Sequence, residues 1–201
     1  MSATILLMAV VGTHVTRLVT REDAEALAML VRSNRRFFAP WDPIRAEEFF
    51  TVEGQVASIE DALAQHDQGI GLPHVIVDES GEVVGRITLH GITRGAFQSC
   101  GVGYFVSARY TGRGFATAAV GEMKRIAFDE LALHRIEAGT LPHNTASQVV
   151  LGRNGFVRYG LAPQYMRIAG RWQDHVLFQV LNPAYLAPAT GVATSQGQAG
   201  E

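Results

Sequence analysis

The sequence contains almost no cysteine and almost no lysine. Cys100 is the only cysteine among 201 residues, so an internal disulfide framework and a cysteine-rich zinc site are excluded, and a reducing compartment is favoured. The histidines are scattered without the spacing of metal ligands, so we expect no metal site. Lys124 is the only lysine, and arginine supplies every other basic side chain, which we interpret as a compositional bias of the genome.

An excess of either charge is also absent. The formal net charge is −2 at pH 7 and the sequence pI is near 6.4. No block of basic residues stands out, whereas binding to a nucleic-acid backbone requires a concentrated positive field. We therefore expect no direct nucleic-acid binding.

The sequence has no apolar run long enough to cross a bilayer. Residues 5–11 (ILLMAVV) form the only stretch resembling a targeting signal, and they lack both a preceding basic region and a following cleavage pattern. We predict an extended segment over residues 1–13, no membrane association and a cytoplasmic location. Residues 187–201 are rich in small and polar residues without periodicity, which predicts a disordered tail.

What remains between these ends is typical of one globular domain. Apolar residues make up 47% and charged residues 18% of the chain, and no repeat or linker divides residues 14–186. Helical spacing of apolar residues predicts helices over residues 20–33, 47–68, 114–129 and 144–153. Alternation and turn residues predict strands over residues 74–78, 83–90, 100–107, 134–140, 164–168 and 175–180. Two prolines predict an aromatic loop over residues 37–43. This order predicts a mixed α/β or α+β sheet.

One segment carries the chemistry. Residues 109–114 (RYTGRG) follow a predicted strand and precede a predicted helix, so their main-chain N–H groups lack helical partners. Glycines let the main chain approach an anion closely, and the helix dipole and two arginines add positive charge. The turn therefore predicts a phosphate site, with a tight glycine turn flanked by surface arginines as the alternative.

Further motifs occur in a fixed order around this turn. They are RRFF (35–38), PWDP (40–43), RGAF (94–97), GY (103–104), GRG (112–114), HRI (134–136), PHN (142–144), Ser147, GF (155–156) and GRWQDHVL (170–177). Together they resemble the GNAT acetyltransferase superfamily, and more narrowly its RimJ/RimL branch, with RimJ-type protein N-terminal acetyltransferases most similar. The resemblance implies the GNAT fold, with about six to seven strands flanked by about four helices, and acetyl-CoA as the acetyl donor.

The resemblance also implies the residues that bind acetyl-CoA. The pyrophosphate would rest on the main chain from Arg109 to Gly114, and the pantetheine arm would pair alongside residues 104–106. The cofactor-binding residues implied are Tyr104, Phe105, Val106, Arg109, Tyr110, Thr111, Gly112, Arg113, Gly114, Phe115, Ala116, Thr117, Asn144 and Ser147. Ser147 would lie near the thioester sulfur, where a hydroxyl can assist departure of the thiolate. The alternative is that Asn144 caps a short helix and Ser147 sits in its first turn.

The base that accepts the amine proton is less defined. RimL-type enzymes carry a glutamate where this sequence has Met166. The resemblance to that branch therefore implies no carboxylate base at this position. Glu137 is the best remaining carboxylate, with Tyr165, His90 and His143 as routes through water, and a solvated strand residue is the alternative for Glu137. An N-terminal α-amine has a reference pKa of about 8, and a lysine side chain has one of about 10. More of an N-terminal amine is therefore unprotonated at neutral pH, so its acetylation depends less on a base.

The resemblance implies an N-acetyltransferase that passes acetyl directly to an amine, most similar to enzymes acting on a protein N-terminus such as that of a ribosomal protein. Residues expected to line the acceptor cleft are Trp41, His90, His143 and Trp172. Two alternatives remain: a small amine, such as an antibiotic or amino-acid derivative, as acceptor, or a non-catalytic acyl-CoA-binding module.

Overall fold

The computed structural model describes residues 15–185. The segments predicted over residues 1–13 and 187–201 lie outside the described residues. No helix within residues 15–185 is long and apolar enough to cross a membrane.

The described chain is built on a seven-stranded mixed sheet of order β1-β2-β3-β4-β5-β7-β6. Its strands are β1 (Thr16–Leu18), β2 (Gly71–Val77), β3 (Val83–Thr93), β4 (Ser99–Val106), β5 (Arg135–Thr140), β6 (Val157–Ile168) and β7 (Arg171–Leu181). All neighbours are antiparallel except β4 and β5. The predicted mixed sheet is therefore confirmed, and its strand number lies within the range expected.

Helices cover both faces of the sheet. They are α1 (Ala24–Ser33), α2 (Arg35–Phe38), α3 (Val52–Asp67), α4 (Phe115–Arg125) and α5 (Thr145–Arg153). The larger core joins α4 and α5 to one face, where Met123 and Leu151 pack with Ile87 and Ile136. A second core holds α1 and α3 against the opposite face. α1 and α4 each bury one apolar stripe, as their helical spacing predicts, whereas α2 buries no residue.

Several element boundaries differ from those predicted. Short 3₁₀ turns over Arg21–Asp23 and Glu47–Phe50 precede α1 and α3, and α4 continues into a π-helix over Ile126–Glu130. The one-turn helix α2 overlaps the predicted aromatic loop. The last two strands form a much longer hairpin than the sequence indicates, because a register shift in β6 interrupts the alternation that marks a strand.

Candidate active site

The site begins where β4 and β5 separate. These two parallel strands share only three paired positions, Ser99 with Arg135, Cys100 with Ile136 and Gly101 with Glu137. Beyond them, residues 102–106 of β4 pair with β3 alone, and the rest of β5 pairs with β7 alone. One edge of β4 therefore presents unpaired main-chain groups in the middle of the sheet, where an extended ligand can pair as a strand does.

The predicted phosphate turn lies directly after this open edge. Within residues 15–185, the main-chain N–H groups of residues 112–117 donate to no protein acceptor, whereas those of Tyr110 and Thr111 already donate to the carbonyls of Ser107 and Ala108. The free amides thus begin at Gly112 and extend into the first turn of α4, so they overlap the predicted phosphate turn at residues 112–114 and continue three residues beyond it. Six consecutive amides at a helix N-terminus form a strong anion site.

Glycine is required at two positions of this turn. Gly112 and Gly114 have φ values of +73° and +90°, which side chains with a Cβ rarely adopt. A Cβ added at either residue would meet no atom within 4 Å. Glycine is thus needed for the backbone conformation, and the space above the turn is open to a ligand.

Two side chains from outside the turn help to hold it in place. The buried Asn34, just after α1, accepts a 2.8 Å hydrogen bond from the main-chain N–H of Ala108. The hydroxyl of the buried Tyr110 donates to Asp78 across 3.2 Å. Sequence reasoning missed Asn34 and Asp78, because neither lies within about thirty residues of the turn in the chain and no local pattern links them to it. Tyr110, which is expected to contact the cofactor, also anchors the turn through this bond.

Both arginines of the turn lie beside aromatic rings. The guanidinium of Arg113 is 5.0 Å from the Tyr110 ring centroid and 5.6 Å from that of Phe115, and that of Arg109 is 5.8 Å from the Tyr110 ring. These distances are within the range of cation–π contacts. Two positive charges are therefore kept next to the free amides.

A hydroxyl pair crosses the gap between β4 and α5. The hydroxyl of Tyr104 lies 2.9 Å from Oγ of Ser147, and burial raises the pKa of Tyr104 to about 12. The phenol therefore stays protonated throughout the physiological pH range, and its O–H group can hydrogen-bond to Oγ of Ser147. Asn144 accepts a 3.1 Å hydrogen bond from the Ser147 N–H and thereby caps α5. The side-chain N–H₂ group of Asn144 has no partner among residues 15–185.

The opposite face of the sheet carries a second row of predicted residues. His90, Gly101 and Glu137 are paired across β3, β4 and β5, so their side-chain positions share one face. A Cβ added to Gly101 would meet His90 ring atoms at 2.3 to 2.9 Å. The imidazole therefore lies over Gly101, next to the last paired position before the strands separate. Burial lowers the pKa of His90, which favours the neutral ring.

Glu137 is not a free carboxylate. Its Oε1 accepts hydrogen bonds from Arg135 at 3.1 Å and from the Tyr159 hydroxyl at 3.3 Å. Tyr165 is exposed and packs on His175, with ring centroids 5.5 Å apart. No hydrogen bond among residues 15–185 joins Tyr165 to Ser147 or to Glu137, so the structure does not bring the three predicted catalytic residues into one hydrogen-bonded cluster.

Apart from His90, the predicted acceptor residues divide into two groups. The rings of Trp41 and His143 lie 5.4 Å apart, beside the start of α5. Trp172 is 61% exposed and pairs with Arg167 near the tip of the β6–β7 hairpin. That tip contacts the aromatic loop, because the N–H of Ala169 donates to the carbonyl of Asp42 across 2.9 Å. The aromatic loop and the tip of the hairpin are therefore in contact.

Known proteins share this architecture. The acetyltransferase (GNAT) domain family matches residues 15–157. "Probable N-acetyltransferase YjcK" of Bacillus subtilis is 38% identical over 80% of this chain and 90% of its own. The ribosomal protein uS5-alanine N-acetyltransferase of Escherichia coli strain K12 is 34% identical over 84% of this chain and 88% of its own. The structure of Mycobacterium smegmatis RimJ in complex with CoA-disulfide superposes with a TM-score of 0.81 at 33% identity, covering 86% of this chain and 83% of that one.

The chain belongs to the GNAT acetyltransferase family. The fold, the enzyme class of N-acetyltransferases and the similarity to the RimJ/RimL branch, all expected from the sequence, are confirmed.

The contact between His90 and Gly101 gives a direct test of this site. Because the imidazole occupies the space of a Cβ, we expect Gly101→Ala to lower the free energy of unfolding by about 1–3 kcal/mol. In a His90→Ala background the same change should be neutral or stabilising, since alanine suits a strand better than glycine. Denaturant unfolding of the four proteins in this double-mutant cycle measures the coupling. Equal effects of Gly101→Ala in both backgrounds would contradict the placement of His90.

Proposed function

We propose that this protein transfers an acetyl group directly from acetyl-CoA to the α-amine of a protein N-terminus. The observation that carries the proposal is the run of six free amides after β4, beside the open edge of that strand. Such a turn suits a diphosphate, and such an edge suits the amide-bearing pantetheine arm. Acetyl-CoA supplies a thioester activated toward attack by an amine.

This chain's own residues have separate tasks in the proposal. The amides of residues 112–117, with Arg109 and Arg113, bind the diphosphate. Tyr104, Phe105 and Val106 offer the strand edge to the pantetheine arm, and the side-chain amide of Asn144 donates to it. Ser147 hydrogen-bonds the departing sulfur and is itself held by the Tyr104 hydroxyl at 2.9 Å. Positioning of this kind supplies much of the rate acceleration.

On the acceptor side, Gly103 of β4 leaves room for the amine. Nothing lies within 4 Å of where a Cβ of Gly103 would stand, and Gly103 faces the same side as His90 and Glu137. A neutral His90 or a water held by Glu137 accepts the amine proton, while Trp41 and His143 border the entrance. Because an α-amine is partly unprotonated at neutral pH, it requires no strong base.

Two relatives support a protein acceptor. The Escherichia coli relative is named for the alanine of ribosomal protein uS5. A solved structure of a ribosomal-protein-S5-alanine acetyltransferase from Vibrio fischeri superposes with a TM-score of 0.80 at 34% identity. Both match over most of their length. A direct transfer to the N-terminus of a ribosomal or other protein is therefore the activity we infer.

Blocking the open space above the turn should abolish cofactor binding. We expect Gly112→Trp to weaken binding of acetyl-CoA at least a hundredfold by isothermal titration, because the indole fills the diphosphate cradle. Gly69→Trp is a matched control: Gly69 has a φ of +72° and equally open surroundings but lies in the turn before β2. Gly69→Trp should bind as wild type does, and equal affinity in the two variants would show that the cradle is misplaced.

Acceptor panels analysed by mass spectrometry test the reaction itself. We expect acetylation of peptide α-amines, with turnover about a hundredfold lower in Ser147→Ala because the sulfur loses its hydrogen-bond donor. Ser33→Ala, at the exposed end of α1, serves as the control and should keep wild-type turnover. Acetylation confined to small-amine metabolites would reject the protein acceptor. Absence of any turnover with bound acetyl-CoA would favour a non-catalytic module.

A further inference from the structure

A cavity of about 550 Å³, open to solvent, lies between α3, β3 and the segment that precedes α3. Its polar lining includes Arg45, Glu48, Ser58, Asp61, Arg86 and Thr88. None of the chemistry proposed above uses it. Two arginines of this lining, Arg45 and Arg86, form no ion pair within residues 15–185, unlike the nearby Arg21 and Arg35.

Arg86 is partly buried and has no carboxylate partner. Its Nη1 donates to the Ser58 hydroxyl across 3.2 Å, and no ion pair to it occurs among residues 15–185. Burial lowers the pKa of Arg86, and the charge of Arg45 lowers it further. Arg45 itself stacks on Phe49, 4.6 Å from the ring centroid, and it interacts with the charge of Asp42 but forms no ion pair with it within residues 15–185.

The contrast with neighbouring arginines is informative. Arg21 and Arg35 each form an ion pair, with Glu60 and Glu47 respectively. Glu48 and Asp61 line the cavity but pair with neither of its arginines within the described chain. Holding a desolvated cation beside a second cation costs stability, so this arrangement suits a ligand that brings a negative charge.

The cavity is aligned with the proposed transfer site. Arg86, Thr88 and His90 alternate along β3 and therefore share the face that carries Gly101 and Glu137. Four residues of a strand span about 13 Å, and an extended peptide covers that distance in about four residues. An acceptor whose amine lies near His90 can thus place its third or fourth side chain at the cavity.

We propose that this cavity is an acceptor subsite for a carboxylate side chain, so that the enzyme prefers protein N-termini carrying an Asp or Glu at the third or fourth residue. The proposal rests on the protein-acceptor function proposed above. Arg86 and Arg45 bind the carboxylate, and Ser58 orients the Arg86 guanidinium.

Peptide pairs that differ only in Glu or Gln at these positions test the subsite. Hydrogen bonds between charged groups contribute about 1.5–3 kcal/mol, so we expect kcat/KM for the Glu peptide to exceed that for the Gln peptide about ten- to a hundredfold. In Arg86→Met the preference should disappear, with the Gln peptide unaffected. Arg32→Met, at an exposed position of α1, should keep the preference.

Thermal unfolding separates a binding role from a structural one. The Arg86→Met protein should be no less stable than wild type, because it loses an unpaired charge. Should Arg86→Met fail to fold, Arg45→Met, at an exposed position, should reduce the same preference. Equal use of Glu and Gln peptides by wild type would overturn the subsite while leaving the protein-acceptor function intact. Acetylation of metabolites but of no peptide would instead reject that function, and the subsite with it.

Discussion

The early separation of β4 from β5 is the constraint on which the rest of the site depends. Parallel pairing stops after Gly101 and Glu137, so the sheet has an internal edge whose main-chain groups have no partner strand. An internal edge is costly unless something pairs with it or covers it. Here it leads straight into the turn before α4, and the Tyr104–Ser147 hydroxyl pair spans the gap it leaves. The binding and the chemistry that we propose are thus located at one interruption of the sheet.

The turn stays available because its stability comes from elsewhere. Asn34 fixes the main chain at Ala108, and Asp78 fixes the ring of Tyr110, so the six amides that follow need make no bond of their own. A turn that satisfied its amides internally would be more stable and would have nothing to offer an anion. In the proposed acceptor subsite Arg86 follows the same principle, because its charge has no carboxylate partner within the described chain and can bind a ligand.

Local patterns in the sequence predicted most of the fold but only part of the site. Helical spacing located α1 and α4, and the glycines of residues 112 and 114 marked the turn, because positive φ values select glycine locally. Contacts between residues far apart in the sequence leave no such local pattern. The sequence therefore did not predict that His90 lies over Gly101 or that Asn34 contacts the turn. Most of β6 was also missed, because register shifts interrupt its alternation. Ser147 and Asn144 came from family resemblance rather than from spacing.

Amide hydrogen exchange with and without CoA tests the central claim most directly. The account predicts that the amides of residues 112–117 exchange rapidly in the free protein, since they lack partners, and become strongly protected when CoA binds, because they then donate to its diphosphate. The amides of Tyr110 and Thr111, already bonded, should change much less. Bound CoA with no added protection at residues 112–117 would contradict the account.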